Sequence, residues 1–216
     1  MAPTDDRMDQ QLRYYRARAA EYDETSYGVV TAERDSVPRI VDRLAPTGDV
    51  IELACGTGVW TVELARYATT LTAVDGAPEM LAFAKQRLAG SNVEFVCSDL
   101  FKWSPTSTYD VVFFAAWLSH VPPELFAEFW ALVARAVKPG GRVLVLDELP
   151  ARAIHETTIV DTVATRTLAD GSQHQVVKIF YEPDRLIGQL AELGWRATVT
   201  PVEHDWFVCE ATRDSC

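Results

Sequence analysis

Cysteine, positive charge and long apolar runs are all scarce in this sequence. The four cysteines, at 55, 97, 209 and 216, have neither CxxC spacing nor the spacing of a metal site. No apolar run approaches the roughly 20 residues of a membrane-spanning helix, and the first ten residues are polar. We therefore expect a cytoplasmic protein with no signal peptide, no membrane contact, no disulfide bridge and no metal ion.

The shortage of positive charge bears on the kind of partner. The 216 residues include 20 lysines and arginines against 31 acids, which gives a formal net charge of -11. Binding to a nucleic-acid backbone needs a basic face, and the basic residues here are scattered. We expect no nucleic-acid partner, and a small anionic ligand would have to be held by a local group of cations.

The chain is long enough for one domain, which we predict over residues 1–216. Residues 1–45 are predicted to form an N-terminal helical cap, with helices over 12–22 and 32–44. Short apolar runs then alternate with helical patterns, which favours a mostly parallel sheet with helices on both faces. The predicted strands are 49–53, 71–74, 93–96, 111–115 and 143–146, and the predicted helices are 59–67, 78–88 and 123–137. A turn at 138–141, Lys-Pro-Gly-Gly, is predicted to end the last helix before the fifth strand.

Residues 150–181 interrupt this alternation and are predicted to form an insertion. Two β-prone arms flank Asp170 and Gly171, which is typical of a hairpin. A loop with an odd number of residues would place Arg166 and Lys178 on the same face, and a two-residue loop would place them on opposite faces. A helix over 183–193 and strands over 195–199 and 206–211 are predicted to complete the domain.

The segment VIELACGTG (50–58) places an acid at the tip of the first strand and two glycines in the following turn. Gly56 and Gly58 leave the backbone open to a ligand, and the helix that follows presents unpaired N–H groups. A glycine-rich turn of this kind also binds dinucleotides, but Glu52 would repel a pyrophosphate and suits a cationic ligand. The turn therefore favours a positively charged nucleoside.

Two further acids end the next two strands. Asp75 follows the second strand, where a carboxylate can accept both hydroxyl hydrogens of a ribose. Asp99 follows the third strand, where it can accept from an adenine amino group. Because ligands of open α/β sheets bind at the carboxyl ends of the strands, we expect these acids to lie beside the glycine turn.

On these motifs the chain resembles the class I S-adenosylmethionine (SAM)-dependent methyltransferases. The matching segments are ELACGTG (52–58), TAVDGAPEML (72–81), VCSDLF (96–101), YDVVFFAAWLSHVP (109–122) and AVKPGGRVLVLDE (136–148). The resemblance implies an α/β Rossmann-like fold, a seven-stranded sheet of order 3-2-1-4-5-7-6, and SAM as cofactor with S-adenosylhomocysteine (SAH) as product. The cofactor-binding residues predicted on this basis are Tyr15, Arg18, Glu52, Ala54, Gly56, Gly58, Asp75, Gly76, Met80, Asp99, Leu100 and Ala115.

The methyl acceptor is expected between the cap, the end of the fourth strand and the insertion. Methyl transfer from a sulfonium requires alignment and exclusion of water, and it needs a general base only for an acceptor that must lose a proton. His120 and Tyr27 are the candidate catalytic residues, although a structural role for His120 is equally open. The predicted acceptor-binding residues are Tyr22, Tyr27, Trp117, His120, Arg166 and Lys178.

Further segments are similar to small actinobacterial methyltransferases of the phosphonate O-methyltransferase kind found in dehydrophos biosynthesis. These are YYRARAAEYD (14–23), FFAAWLSHVP (113–122), RTLADG (166–171) with VVK (176–178), and LGW (193–195). This resemblance implies that Tyr27, Arg166 and Lys178 hold an anionic acceptor. The leading hypothesis is O-methylation of a small metabolite of specialised metabolism, such as a phosphonate or a carboxylate, by a monomer or homodimer. The alternatives are an N- or S-methyltransferase acting on a heterocycle, a non-catalytic SAM-binding regulator and a dinucleotide oxidoreductase.

Overall fold

The computed structural model describes residues 4–28, 31–156 and 158–213, with side chains at all of these positions except 4, 5, 27, 31–34 and 155. The helices are α1 (Thr4–Arg18), α2 (Thr31–Leu44), α3 (Val59–Leu64), α4 (Pro78–Arg87), α5 (Phe126–Ala136) and α6 (Pro183–Glu192). The strands are β1 (Gly48–Leu53), β2 (Ala68–Asp75), β3 (Glu94–Cys97), β4 (Tyr109–Ala115), β5 (Val137–Glu148), β6 (Ile159–Val160), β7 (Val163–Thr167), β8 (Gln173–Val177), β9 (Arg196–Val202) and β10 (Trp206–Thr212). Short helical turns lie at Glu24–Gly28, Leu118–His120, Pro123–Leu125, Pro150–His155 and Glu203–Asp205.

Seven of these strands form one sheet in the order β3-β2-β1-β4-β5-β10-β9. The first five pair in parallel, and β10 lies antiparallel between β5 and β9. Because β9 and β10 are the sixth and seventh strands of this sheet in chain order, the predicted order 3-2-1-4-5-7-6 is confirmed. The predicted α/β class is confirmed as well.

Both faces of this sheet are buried because successive residues of a strand point in opposite directions. On one face Phe113 packs against Trp60 of α3, with ring centroids 5.8 Å apart. On the other face the next residue, Phe114, packs edge-on against Trp130 of α5 at 6.0 Å. The continuous apolar run of β4 therefore supplies two separate cores, one under α2 and α3 and one under α5 and α6.

Helix α1 begins and ends earlier than the helix predicted over 12–22. Its apolar contacts lie in its second half, where Tyr14 packs on Ala164 and Val176 of the insertion and Leu12 packs near Met80 of α4. Residues 4–11 are polar apart from Met8 and contribute no apolar stripe, so hydrophobic periodicity could not indicate the start of the helix. The helix over 32–44 is confirmed as α2.

The insertion forms a separate three-stranded antiparallel sheet in the order β6-β7-β8. The predicted hairpin is confirmed as β7 and β8, in which Thr167 pairs with Gln173 and leaves a loop of five residues, 168–172. Arg166 pairs with His174, so the odd loop length puts Arg166 and Lys178 on the same side of the ribbon. The two-residue strand β6 was not predicted, because so short an edge strand carries no alternating pattern.

The predicted turn at 138–141 lies inside β5, which starts at Val137, so the predicted start of the fifth strand at 143 is wrong. Pairing between β4 and β5 shifts register between Tyr109 and Val111, opposite this segment. Gly140 has a φ of +77°, and a Cβ at Gly141 would lie 2.9 Å from the carbonyl oxygen of Asp110. The glycines therefore form an irregularity within the strand instead of a break before it.

Among the residues that the structure describes, no helix combines the length and the apolar character that crossing a bilayer requires. The single-domain organisation over 1–216, with a cap over 1–45 and an insertion over 150–181, stays a prediction.

Gly58→Ala is expected to destabilise the protein. Gly58 has a φ of +82°, and a Cβ there would lie 3.0 Å from the Cβ of Ala84 and 3.2 Å from its Cα. Left-handed backbone and crowding at a non-glycine residue should lower the free energy of unfolding by about 1–3 kcal/mol, measured by urea denaturation. The control is Gly188→Ala in α6, which meets no atom within 4 Å and should leave stability unchanged or slightly raised. Equal effects of the two substitutions would contradict the explanation.

Candidate functional site

A cavity of about 80 Å³ lies at the carboxyl ends of β1, β2 and β4, beneath α1. We call it the strand-end cavity. Nine of the twelve predicted cofactor-binding residues line it, namely Tyr15, Ala54, Gly56, Asp75, Gly76, Met80, Asp99, Leu100 and Ala115. The predicted acceptor-binding residues Tyr22 and Trp117 line it too.

Asp75 joins the end of β2 to the glycine turn. Its Oδ2 accepts the backbone N–H of Gly56 at 2.8 Å, and its Oδ1 accepts the backbone N–H of Ala77 at 2.8 Å. Burial raises the pKa of Asp75, while the backbone N–H groups of Ala77, Gly56 and Gly76 oppose that shift. Each carboxylate oxygen has a further lone pair, so the group can accept hydroxyl hydrogens of a ligand in the cavity.

The backbone just after the carboxyl ends of β1 and β4 is left-handed at three positions that line this cavity. Ala54 has a φ of +56°, Gly56 one of +56° and Ala116 one of +50°. A Cβ at Gly56 would meet nothing within 4 Å, so this glycine leaves open space in which a ligand can approach the backbone. The two alanines lie in conformations that cost roughly 1–2 kcal/mol each, and such strain is typical of functional sites.

Glu52 lies behind the strand-end cavity and does not line it. It is buried, and Thr61 Oγ1 of α3 donates a hydrogen bond of 2.5 Å to its Oε2. Burial raises the pKa of Glu52 to about 8 although the hydrogen bond from Thr61 opposes that shift. Glu52 is therefore mostly protonated at neutral pH, and a cation nearby would favour loss of that proton.

Gly58 and Arg18 also lie away from the strand-end cavity. Gly58 allows the start of α3 to approach Ala84 of α4. The guanidinium of Arg18 donates hydrogen bonds of 2.8 Å to Thr25 and Ser26 and lies over the ring of Tyr22 at 4.8 Å. The predicted cofactor contacts of Arg18, Glu52 and Gly58 stay predictions.

A second cavity, of about 450 Å³, adjoins the first and shares Tyr15, Tyr22 and Ala116 with it. We call it the cationic cavity because, among the residues that the structure describes, four cationic side chains line it against two carboxylates, an excess of two positive charges. These side chains are Arg18, Arg152, Arg166, Lys178, Glu148 and Glu156. The structure thus brings Arg166 and Lys178 to one cavity, as their shared face of the hairpin allows.

Lys178 belongs to a chain of polar contacts at the end of β5. Its side chain is 3% exposed, its Nζ pairs with Glu148, and it lies 3.3 Å from the Oγ of Ser119. Glu148 also accepts from Arg152 at 2.8 Å. Burial acts to raise the pKa of Glu148, but Lys178 and Arg152 together hold it below its ordinary value. One ionised carboxylate therefore serves two cations.

The other predicted cation, Arg166, pairs with Glu156 of the insertion. Tyr27 belongs to the turn Glu24–Gly28, and its side chain lies outside the described residues, so its predicted roles stay predictions. Trp117 packs against Phe101 with ring centroids 6.1 Å apart and lines the strand-end cavity only.

His120 is buried between the cap and the insertion. Its Nδ1 lies 2.6 Å from the carbonyl oxygen of Val177, which can only accept, so Nδ1 carries the proton. Nε2, 2.9 Å from the hydroxyl of Tyr15, then accepts a hydrogen bond from it. Burial and the positive charges of Lys178 and Arg166 hold the pKa of His120 well below 6.5. His120 is thus neutral, and both of its ring nitrogens are engaged.

Nine of the described residues that line the cationic cavity were not predicted from the sequence, among them Arg152, Glu148 and Trp206. Arg152 and Glu148 flank the end of β5, and Trp206 starts β10 beside them, paired with Glu148. The signal that could have indicated the first two is their position after a strand end, where ligands of α/β sheets bind. For Trp206 there is no such signal, since an aromatic residue at the start of a strand is common in any core.

The arrangement places a cavity at the strand ends beside a second cavity whose described lining is rich in cationic side chains. Gly56, Asp75 and the apolar side chains of Met80 and Leu100 fit a nucleoside with free ribose hydroxyls and a planar base. Within the residues described, no group of three or more His, Cys, Asp or Glu side chains could hold a metal ion.

Comparison with known proteins shows the family. A family model described as "Methyltransferase domain" matches residues 50–141. The structure titled DhpI-SAH complex is 37% identical, with a TM-score of 0.88 over 99% of this chain and 100% of that chain. The DhpI-SAM-HEP complex is 38% identical, with a TM-score of 0.86 over 98% and 100%. The chain belongs to the class I SAM-dependent methyltransferases, whose methyl donor is SAM.

Curated relatives match over shorter segments. Malonyl-(acyl-carrier protein) O-methyltransferase of Bacillus anthracis is 40% identical over 65 residues, 29% of this chain and 24% of that protein. Trans-aconitate 2-methyltransferase of Acidovorax sp. is 36% identical over 94 residues, 43% of this chain and 35% of that protein. The match thus spans less than half the length of each of these two relatives.

Asp75→Ala is expected to weaken SAM binding by roughly 1.5–3 kcal/mol, or about 10- to 150-fold in the dissociation constant, because a charged hydrogen-bond acceptor is lost. Calorimetric titration with SAM and SAH measures this, with thermal unfolding as a check that the variant folds. Asp42→Ala, which removes an exposed carboxylate paired with Arg66, should leave the dissociation constant unchanged. An unchanged constant in Asp75→Ala would place Asp75 outside the binding site.

Glu52→Gln is expected to change how stability depends on pH. Unfolded Glu52 ionises near pH 4.5, while the folded protein keeps the proton up to about pH 8. The contribution of this group to the free energy of unfolding is therefore full below pH 4.5 and falls as the pH rises towards 8. Between pH 5 and pH 7 the wild type should lose about 2–3 kcal/mol of unfolding free energy relative to Glu52→Gln. Urea denaturation at pH 5, 6 and 7 measures this. Glu94→Gln, at an exposed position of β3, is the control, and parallel curves for wild type and Glu52→Gln would contradict the expectation.

Proposed function

We propose that the protein transfers the methyl group of SAM to an oxyanion of a small acidic metabolite, such as a phosphonate or a carboxylate. The observation that carries this proposal is the cationic cavity, which shares the lining residues Tyr15, Tyr22 and Ala116 with the strand-end cavity. An acceptor held by these cations would lie next to the strand-end cavity, where we propose that SAM binds.

The local charge supports an anionic acceptor. The chain as a whole carries a formal net charge of -11, yet this cavity has an excess of two positive charges. Lys178 is almost fully buried, and burying a cation is costly unless it is paired. Lys178 pairs with Glu148 and lies beside the neutral hydroxyl of Ser119, and an anionic ligand in this cavity would add to its compensation.

The state of His120 supports an acceptor that is already ionised. A general base must be free to take a proton, and both ring nitrogens of His120 are engaged by Val177 and Tyr15. Burial raises the pKa of Tyr15 well above 10, so its hydroxyl keeps the proton that it donates to His120 and is no general base either. An acceptor without a proton to lose needs only alignment with the methyl group, which SAM supplies when bound.

The names of relatives point the same way. One solved structure is titled DhpI-SAM-HEP complex, and one curated relative is named for trans-aconitate. We propose an acidic acceptor for this protein by analogy with these relatives. The cytoplasmic location, the monomeric or dimeric state, the role in specialised metabolism and the absence of a nucleic-acid partner stay predictions.

A methyl-transfer assay tests the proposal. Protein is incubated with methyl-labelled SAM and, separately, ethylphosphonate, 3-phosphonopropionate, propionate, succinate, imidazole and a thiol. Turnover of at least one of the acids, with formation of its methyl ester and SAH, is expected. Turnover of imidazole or the thiol with none of the acids would favour an N- or S-methyltransferase. SAM binding without turnover of any acceptor in a wider panel would favour a regulator.

Two substitutions test the site of acceptor binding. Arg166→Ala and Lys178→Ala should each raise the KM of the acidic acceptor by roughly 10–100-fold, because each removes a charged hydrogen bond, and should leave the SAM dissociation constant almost unchanged. Lys85→Ala, on the exposed side of α4, is the matched control and should change neither quantity. Weaker SAM binding with an unchanged acceptor KM would contradict the assignment of these cations to the acceptor.

A further inference from the structure

Arg18, in the last turn of α1, is a buried cation with no carboxylate partner among the residues that the structure describes. It is 8% exposed, and its hydrogen bonds go to the hydroxyl groups of Thr25 and Ser26. We propose that Arg18 binds the acidic group of the methyl acceptor, instead of making the cofactor contact predicted for it from the sequence. This inference rests on the proposed function, because it concerns the acceptor of that reaction.

The guanidinium of Arg18 is held in place by neutral groups. Its Nε and Nη2 donate to Thr25 Oγ1 at 3.2 and 2.8 Å, and Nη2 also donates to Ser26 Oγ at 2.8 Å. It lies over the ring of Tyr22, 4.8 Å from the ring centroid. The Thr25 hydroxyl donates its own hydrogen to the carbonyl oxygen of Glu21 at 2.8 Å, so it serves Arg18 as an acceptor. A planar guanidinium fixed in this way needs little further ordering to bind an anion.

The acids that follow Arg18 most closely in the chain have other partners. Glu21 Oε2 accepts the backbone N–H of Ala169 in the hairpin loop at 3.3 Å, and Asp23 pairs with Arg87 of α4. A charged side chain is rarely buried without an opposite charge, and an arginine cannot avoid the cost of burial by losing its proton. A carboxylate or phosphonate bound beside Arg18 would offset that cost.

The two other cations proposed for the acceptor are already paired. Lys178 pairs with Glu148, and Arg166 pairs with Glu156. Each of these carboxylates weakens the attraction of its cation for an anionic ligand. Arg18 makes no ion pair with a described residue, so no carboxylate of the protein competes directly for its charge.

The position of Arg18 places it on the acceptor side of the junction between the two cavities. It lines the cationic cavity and does not line the strand-end cavity. Tyr15, one turn earlier in α1, lines both. The positive charges of Arg166 and Arg18 both oppose the rise of the pKa of Tyr15, so both charges act at this junction. An acidic group bound by Arg18 would therefore lie next to the strand-end cavity.

Substitution of Arg18 tests the assignment. Arg18→Gln should raise the KM and the dissociation constant of an acidic acceptor by roughly 10–100-fold, because a charged hydrogen bond is lost. The dissociation constants of SAM and SAH should stay within about twofold of wild type. The methyl-transfer assay gives the KM. Calorimetric titration of SAH-loaded protein with ethylphosphonate and with succinate gives the dissociation constants of the acids.

Two further variants serve as controls. Arg18→Lys keeps the positive charge without the planar guanidinium and should retain part of the acid binding. Arg13→Gln removes a charge from an exposed position of the same helix and should leave acid binding intact. Because Arg18→Gln removes a buried charge that has no carboxylate partner, its Tm should equal or exceed that of the wild type. Thermal unfolding in the absence of added acid measures this.

The outcomes separate this inference from the proposed function. Weaker binding of SAM and SAH with unchanged acid binding would assign Arg18 to the cofactor and overturn the inference. A lower Tm with equal losses of SAH and acid binding in both Arg18 variants would also overturn it, since that pattern indicates a structural role. An unchanged KM for an acid that the wild type methylates would overturn it while leaving acid methylation standing. Acid binding that depends on Arg18, without turnover of any acid, would support the inference and count against the proposed function.

Discussion

The carboxylate of Asp75 is the contact on which the strand-end cavity depends. By accepting the N–H groups of Gly56 and Ala77, it ties the end of β2 to the turn after β1 and to the start of α4. These N–H groups would otherwise be unpaired donors at a buried helix start and a tight turn, and such donors are costly to leave unsatisfied. Burial of the acid is tolerated because the same donors stabilise its charged form, and the left-handed backbone at Gly56 stays available to a ligand.

The cationic cavity depends on a second network, which holds together three segments far apart in the chain. The side chain of Gln11 in α1 donates to the carbonyl oxygen of His120 at 3.1 Å and accepts the N–H of Val177 at 2.9 Å. His120 in turn bonds to Val177 and Tyr15. Because every polar group in this buried network has a partner, the cap, the end of β4 and the hairpin are fixed relative to one another. The two cavities can therefore share Tyr15 at their junction.

The parts of this design that could be predicted from the sequence are those with a strong local cause. A parallel sheet requires apolar strands alternating with helices, and a strand-to-helix turn near a ligand requires glycine, so the strands β1 to β5 and the position of Asp75 beside Gly56 could be predicted. The five-residue loop of the hairpin could not be predicted, although it decides whether Arg166 and Lys178 share a face. Arg152 was missed because its place in the cationic cavity comes from tertiary contacts with Glu148 and Trp206, which no spacing in the sequence encodes. Left-handed alanines such as Ala54 are equally invisible, since alanine carries no preference for that backbone.

Under the proposed function, the two carboxylates in the cationic cavity have a physical role in turnover. Methylation turns an oxyanion into a neutral ester, so the product carries one negative charge fewer than the acceptor and interacts less favourably with Arg166 and Lys178. If those cations had no other partners, release of the product would leave them buried and uncompensated, and release would be slow. Glu156 and Glu148 pair with them within the protein itself. The same pairs that weaken the attraction for the acceptor therefore lower the cost of product release.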